Sequence, residues 1–411
     1  MIPLLVCCTV AILAWSLVGA RLQRWHFSGP VVMVLSGIAI GFAFQDSIET
    51  GLNTQLAEHI VELILALLLF VDATEVRGGF FAGARGPVLR LLLIALPVSI
   101  VLAVVVGVPL LGTSVFAVLA IACIVLPIDF APAAELLRDP RLPRRTRHAL
   151  AVESGYNDGI FSPIFAFALI VLGLSETNGG PLGALEEAIP AAGYAVLVGG
   201  IIGGAAGLGA RLGARRGWAT PSGLRIAMVL VPVVTYACAL PLHGNGFVAA
   251  FIAGLVYKPA RLGRRGFRKN IPHAELSLAD DLGVLSSLVM WFVFGAVASL
   301  ILVTPVEWSW ILFALLALTL LRIVPVLLAF LGSGSTLREQ AALGLLGPRG
   351  TSSIVFGLLA FNAMRDDDAN IALYVLIVVV LGSVVLHSLF GRRLAGALAA
   401  PDPAGISARR S

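Results

Sequence analysis

The stretch VESGYNDG, residues 152–159, places two carboxylates and an asparagine inside a run of residues that is apolar enough to cross a membrane. With about 3.6 residues per helical turn, Ser154 and Asp158 share one face of a helix, and Glu153 and Asn157 share the neighbouring face. A carboxylate at the centre of a bilayer costs at least about 2.5–3.5 kcal/mol on insertion scales. Two acids on one span therefore indicate either a binding role or burial against arginines elsewhere in the chain.

The composition places the chain outside the soluble globular class, with a mean hydropathy of +0.98, 59% hydrophobic residues and 12% charged residues. Its apolar runs are continuous and long, which predicts an all-α polytopic membrane protein and excludes a porin-like barrel. The net charge is +5. The basic residues lie in short loops without interleaved aromatic residues, so we expect no nucleic acid partner. No nucleotide, zinc or nucleophile motif occurs in a suitable context, and we expect neither a cofactor nor an enzymatic activity.

The apolar runs predict about 13 spans in a single transmembrane domain, residues 1–391, followed by a short cytoplasmic tail, residues 392–411. The predicted spans are 2–20, 30–44, 57–75, 87–107, 114–137, 148–173, 188–213, 223–240, 246–257, 281–302, 308–331, 338–361 and 369–391. If the first loop is cytoplasmic, all but three of the 28 Lys and Arg residues fall on that side or in the tail. The exceptions are Arg322, Arg349 and Arg365. The positive-inside rule therefore predicts a multi-pass protein of the cell (inner) membrane, with the N-terminus outside and the C-terminus in the cytoplasm.

Two of these spans carry helix-breaking residues beside an ionisable side chain. In the fifth span, Pro127 and Pro132 flank Asp129, and each proline removes a backbone donor and disfavours helix before it. In the twelfth span, Gly-Pro-Arg-Gly interrupts the apolar run at 347–350. The two spans run in opposite directions, and this pattern is typical of an inverted-repeat transporter with two crossed broken helices and a site where the breaks meet. For either span alone, an ordinary proline kink remains the alternative.

The ends of half-helices carry partial charges, positive at the N-terminus and negative at the C-terminus. Asp129 is therefore expected to neutralise N-terminal ends at the crossing, and Arg349 to lie against carbonyl ends. A lone Glu and a lone Arg in apolar spans each need a partner, so we also expect Glu153 to pair with Arg349.

Taken together, these motifs resemble those of the monovalent cation:proton antiporter-1 family, which includes bacterial sodium/proton antiporters and their animal exchanger relatives. The resemblance rests on the 153–159 motif, on the acid and prolines of the fifth span and on Gly-Pro-Arg-Gly in the twelfth. The segments 244–255 and 68–72 also fit, and the resemblance extends to about residue 391.

The resemblance implies a secondary active transporter that exchanges a monovalent cation, with Na⁺ expected, for H⁺. The implied site for the transported cation and proton consists of Asp158, Asn157, Ser154 and Asp129. Asp158 would bind the cation and the proton in competition, Glu153 and Arg349 would form a structural ion pair, and Asp72 would lie on the ion path. Because Asn157 rather than a second acid precedes Asp158, the exchange is expected to be electroneutral.

The same resemblance implies alternating access, with core spans at about 87–173 and 308–391 moving against the remaining spans, which are expected to form a homodimer interface. One departure concerns the break in the fifth span, where Ile128 and Phe130 replace the threonine and proline of the family. The departure leaves selectivity among Na⁺, K⁺ and Li⁺ open. It also favours the alternative of a transport-inactive membrane scaffold or sensor that retains the fold; a passive ion channel is the third possibility.

Overall fold

The computed structural model describes residues 2–25, 27–45, 48, 55–75, 85–130, 133, 136–137, 139–174, 180–263, 271–301 and 306–397. The predicted all-α fold is confirmed, because these residues form helices and connections and no strand. The helices are α1 (Ile2–Arg24), α2 (Gly29–Ala43), α3 (Gln55–Glu75), α4 (Arg85–Arg90), α5 (Leu96–Leu111), α6 (Val115–Val125), α7 (Arg144–Leu174), α8 (Gly180–Arg216), α9 (Pro221–Ala239), α10 (Gly246–Leu262), α11 (His273–Ile301), α12 (Trp308–Leu318), α13 (Leu320–Ala329), α14 (Leu337–Leu345), α15 (Thr351–Ala363) and α16 (Asp366–Ala397). A π-helical turn, Leu91–Ala95, joins α4 to α5.

Within the described ranges, eight helical segments are long and apolar enough to cross a membrane by length and composition. Three further apolar helices are shorter, and they are α2, α6 and α15. The predicted total of about 13 spans stays a prediction, because broken spans fall below the length of a full crossing. Helix α16 ends at Ala397 and so extends past residue 391 into the predicted tail.

The two half-helices α6 and α15 are the most buried parts of the bundle. Every residue of 120–128 is buried, as is every residue of 351–360. The two helices pack against each other, α6 also packs on α7, and α15 also packs on α16. The breaks that follow α6 and precede α15 therefore lie in the interior.

Local sequence signals set several ends of the helices in and beside the broken spans. The side chain of Ser114 accepts a hydrogen bond from the N–H of Ala117 at 3.1 Å and begins α6. Before it, α5 ends at Gly112, whose φ of 68° is a left-handed conformation that glycine adopts without strain. Thr336 and Glu339 form a reciprocal capping box that begins α14.

The fourth and eleventh spans contain distortions that were not predicted. Pro97 cannot donate to the carbonyl four residues earlier, and in the widened turn before it Leu96 donates to the Leu91 carbonyl. In the eleventh span, the backbone leaves helical geometry at Thr319, with φ −124° and ψ −90°. The Thr319 hydroxyl donates to the Leu315 carbonyl at 2.6 Å, a side-chain bond that commonly bends helices.

Outside this region, small residues bring helix backbones together. Helix α8 packs along α10 through Gly199, Gly203 and Gly207, which lie one turn apart and face the backbone of α10. Helix α2 packs along α11 in the same way at Gly37 and Gly295, where an added Cβ would meet the backbone of the other helix. The glycines on these helix faces thus serve close helix packing.

Candidate functional site

Helix α7 carries the predicted polar residues into the interior of the bundle. Glu153, Asn157 and Asp158 are 5%, 2% and 6% exposed. The Asn157 amide donates to the carbonyl of Ile128 at 2.8 Å, and the Ser154 hydroxyl donates to the same carbonyl at 3.2 Å. That carbonyl belongs to the break after α6, where no helical donor is available. Ser154 and Asn157 therefore hold the unwound backbone against α7.

The two breaks cross at Asp129 and Pro348, as predicted. The N–H of Asp129 donates to the Pro348 carbonyl at 2.8 Å. The N–H of Thr351, at the first turn of α15, donates to Asp129 Oδ2 at 2.8 Å. The Asp129 carboxylate thus accepts a hydrogen bond at a helix N-terminus, where negative charge is favoured. Pro132, the second predicted helix breaker, lies outside the described residues.

Gly350 allows this approach between the two breaks. A Cβ built on Gly350 would collide with the Asp129 carboxylate group. The φ of Gly350 is −148°, so the requirement for glycine is one of space rather than of backbone conformation.

The predicted pairing of Glu153 with Arg349 is wrong. Glu153 instead pairs with Arg322 of α13, through hydrogen bonds of 2.9 Å to Oε1 and 3.1 Å to Oε2. Arg322 Nη2 also donates to the Leu343 carbonyl at 2.9 Å. The helix is distorted at Thr319, just before Arg322, and this distortion affects where the Arg322 side chain lies. The sequence around Arg322 and the sequence around Arg349 therefore do not specify which of the two buried arginines contacts Glu153. The ion pair links α7, α13 and α14.

Arg349 lies against carbonyl ends, which was the other expectation for this side chain. It is 1% exposed and donates at 2.6 Å to both the Val125 and the Gly347 carbonyls. A longer bond of 3.4 Å reaches the Ala317 carbonyl. Val125 is the last residue of α6 and Ala317 lies near the end of α12, so Arg349 places its charge at two helix C-termini, the favourable location for a cation.

Several buried oxygens of α7 and α15, one of them on Asp158, lack hydrogen-bond partners among the described residues. The Oδ1 atom of Asp158 is buried and makes no hydrogen bond to any described residue. Asp129 and Asp72 are near enough to its carboxylate for their charges to repel it, and the Ser352 hydroxyl is near enough to interact with it. The other buried oxygens of α7 and α15 without a partner in the described part of the chain are Asn157 Oδ1, Ser162 Oγ, Ser352 Oγ and Ser353 Oγ. Carboxylate, amide and hydroxyl oxygens are the ligands that hard cations prefer.

A small cavity separates the ion pair from Asn157. Its volume is about 20 Å³, and its lining includes Glu153, Asn157, Arg322 and Ser99. A cavity of this size has room for about one water molecule, and its polar lining suits water. Ser99 on α5 was not singled out from the sequence, since a lone serine in an apolar span gives no signal.

Asp72, on α3, is partly buried. Its carboxylate is close enough to Asp158 for the two negative charges to repel each other, so this predicted path residue lies near the site. Its role on the ion path stays a prediction.

Ser352 and Ser353 were not predicted from the sequence. The signal that points to them is a run of three hydroxyl residues, Thr351 to Ser353, directly after the break and inside an otherwise apolar span.

Comparisons with known proteins give one family and one fold. The model of the transmembrane sodium/hydrogen exchanger family matches residues 8–395. A structure of the sodium proton antiporter MjNhaP1 from Methanocaldococcus jannaschii at pH 8 is similar, with a TM-score of 0.75, 19% sequence identity and coverage of 97% of this chain and 99% of that chain. An electron microscopy structure of the same antiporter gives a TM-score of 0.69, 20% identity and coverage of 96% and 98%.

Proposed function

Because the chain belongs to the sodium/hydrogen exchanger family, the transmembrane cation:proton antiporters, we propose that it exchanges Na⁺ for H⁺ across the cell membrane. The observation that carries this proposal is the buried Asp158 carboxylate beside two crossed breaks, with an oxygen that no described residue satisfies. An unsatisfied buried carboxylate oxygen is costly, and a bound cation or proton removes that cost.

In the mechanism that we propose, Asp158 holds either a proton or a cation. The carboxylate has one negative charge to neutralise, and neutralisation by a proton removes the attraction for the metal ion. Asn157 and Ser154 contribute in two ways, since they fix the Ile128 carbonyl and keep oxygen lone pairs available. Asp129, whose Oδ2 accepts the N–H of Thr351, orients the broken helices and adds negative charge near the site. Competition at one carboxylate is sufficient for antiport.

Alternating access requires that the site face each side of the membrane in turn. We propose that the core spans at about 87–173 and 308–391 move together against the remaining spans, which form the interface of a homodimer. Support comes from the hydrogen bonds that tie the two breaks to α7 and to each other, because they make the crossing a single unit. A hydrogen bond crosses the proposed boundary between the core spans and the remaining spans. It joins the hydroxyls of Ser287 on α11 and Thr351 on α15, which are 2.7 Å apart.

The exchange is proposed to be electroneutral. Asp158 is the carboxylate assigned to the transported ion, and its neighbour on α7 is the uncharged Asn157. One cation then replaces one proton in each cycle.

The test is cation-dependent dequenching of a pH-sensitive dye in proteoliposomes with an imposed pH gradient. Asp158→Asn keeps the shape of the side chain but removes its charge, so we expect exchange to fall to the level of empty vesicles. Asp281→Asn, at an exposed position of α11, is the matched control and should exchange at the wild-type rate. Raising the proton concentration should raise the apparent KM for Na⁺ of the wild type, as competition requires.

Each alternative gives a different result in the same vesicles. Flux driven by voltage alone would identify a channel, and absence of both coupled and uncoupled flux would identify a transport-inactive scaffold or sensor. Wild-type exchange by the Asp158→Asn variant would contradict the assignment of the site. A series with Na⁺, Li⁺ and K⁺ determines which cation the protein prefers.

A further inference from the structure

Three hydroxyl residues begin α15 at the crossing, and their side chains have different surroundings. Thr351, Ser352 and Ser353 are 3%, 4% and 0% exposed. The Thr351 hydroxyl is hydrogen-bonded to Ser287 at 2.7 Å. Neither the Ser352 hydroxyl nor the Ser353 hydroxyl, both buried, makes a hydrogen bond of standard geometry to a described residue, although the Ser352 hydroxyl lies close enough to the Asp158 carboxylate to interact with it. Burial of a hydroxyl without a partner is unfavourable, so such a hydroxyl that also faces the proposed site at Asp158 is a candidate to bind what is transported.

The packing of α15 against α7 brings Ser352 next to Asp158. The Phe165 and Phe356 rings of the two helices are in contact, with centroids 5.0 Å apart. Phe165 follows Asp158 by about two turns and Phe356 follows Ser352 by about one turn, so each pair shares a helix face. Ser352 therefore faces Asp158 across the contact between the two helices, close enough for its hydroxyl to interact with the carboxylate.

The relative direction of the two segments supports the same placement. Arg322 donates both to Glu153 on α7 and to the Leu343 carbonyl on α14. The aromatic contact between α7 and α15 lies later in both segments. The chain therefore runs parallel to α7 through α14, the break and α15, and the start of α15 lies alongside the middle of α7.

The oxygen ligands that the fifth span can offer are few. Ile128 has no hydroxyl, and its carbonyl already accepts hydrogen bonds from Ser154 and Asn157. One oxygen of Asp129 accepts the N–H of Thr351. A cation held by Asp158 therefore needs further neutral oxygens, and a buried serine hydroxyl with available lone pairs is such a ligand.

We propose that the hydroxyl of Ser352 is a ligand of the transported cation, opposite Asp158, and that it determines the affinity of the site for Na⁺. This inference rests on the proposed antiport function and adds a ligand from the second broken helix. When Asp158 carries a proton, the same hydroxyl hydrogen-bonds to the neutral carboxyl group. Ser352 thus has a partner in both loaded states.

The experiment compares Ser352→Ala with Ser353→Ala in proteoliposomes. The two variants lose the same atom from adjacent buried residues, but a rotation of about 100° between neighbouring helical positions turns Ser353 away from Asp158. For Ser352→Ala we expect the apparent KM for Na⁺ to rise about tenfold, with little change in the maximal rate, as for loss of one ligand of a charged group. Ser353→Ala should keep the wild-type KM. An unchanged KM in Ser352→Ala, or equal increases in both variants, would overturn the proposal.

A binding measurement separates this inference from the proposed function. Bound Na⁺ raises the unfolding temperature of the protein that binds it, and this shift is measured in detergent without any transport. If the wild type fails to exchange but is stabilised by Na⁺, antiport is refuted, and loss of the shift in Ser352→Ala with retention in Ser353→Ala supports the ligand. If Na⁺ stabilises neither the wild type nor the variants and no exchange occurs, both proposals are refuted.

Discussion

At the scale of single residues, Glu153 and Arg322 form a buried ion pair in which each charge is stabilised by the other. Both side chains are buried, at 5% and 7% exposure. Burial of two charges is costly, and the attraction between them offsets that cost only while both are present. We therefore expect this pair to matter for folding more than for ion binding.

Removing one member of the pair leaves a buried charge without its partner, and such changes cost about 3–5 kcal/mol. We predict that Glu153→Gln and Arg322→Met each lower the unfolding temperature strongly in detergent, and that the double variant recovers most of the loss. The matched control is Arg141→Met, which removes the more exposed member of the ion pair with Asp139 in the loop before α7 and should change stability much less. Additive losses in the double variant would show that the two side chains are not coupled.

The candidate site residues were predictable, but their pairing was not. A carboxylate in an apolar span has few explanations, so Asp158 and Glu153 stand out in the sequence. Arg322 and Arg349 both lie alone in apolar spans, and the choice between them depends on how α13 is oriented after the distortion at Thr319. Ser352 was not predictable, because a hydroxyl residue in a membrane helix can bond to the backbone of its own helix instead of to a ligand.

At the scale of helices, the contact between α8 and α10 depends on the absence of side chains at three glycines. A Cβ on Gly203 would collide with the backbone of Ala253, whereas a Cβ on Gly200 would meet open space.

The breaks in the fifth and twelfth spans were predictable because Pro and Gly disfavour helix at their own positions in the chain. The distortion at Thr319 was not, because a threonine hydroxyl bonds to its own helix in many straight helices as well.

Gly203→Ala and Gly200→Ala form a matched pair of substitutions. Each gains the helix propensity of alanine over glycine, about 1 kcal/mol. We predict that Gly200→Ala is neutral or stabilising and that Gly203→Ala lowers the unfolding temperature, because α8 must move away from α10. Equal unfolding temperatures for the two variants would mean that the helices are not packed through this face.

At the scale of the whole molecule, the predicted orientation in the membrane rests on the positive charges of the loops. The helices of the described residues confirm the all-α fold. The predicted topology places Trp218 in the cytoplasm and Trp308 outside, and both side chains are largely exposed, at 71% and 83%.

Cysteine labelling tests this orientation. With Cys7, Cys8, Cys123 and Cys238 replaced by Ala, we predict that Trp308→Cys reacts with a membrane-impermeant maleimide added to intact cells. Trp218→Cys should react only after the membrane is opened. The reverse pattern would invert the topology, and labelling of both positions in intact cells would contradict the predicted number of spans between them.

The hydrogen bond from Thr351 to Asp129 has a consequence for how the protein draws energy. This carboxylate is engaged at the N-terminus of α15, so we assign the exchange of one proton for one cation to Asp158 alone. We therefore expect an electrical potential across the membrane neither to speed nor to slow the cycle. A cell depolarised by an ionophore, with the more acidic solution outside, would continue to expel the cation until the ratio of its concentrations across the membrane equals the ratio of proton concentrations.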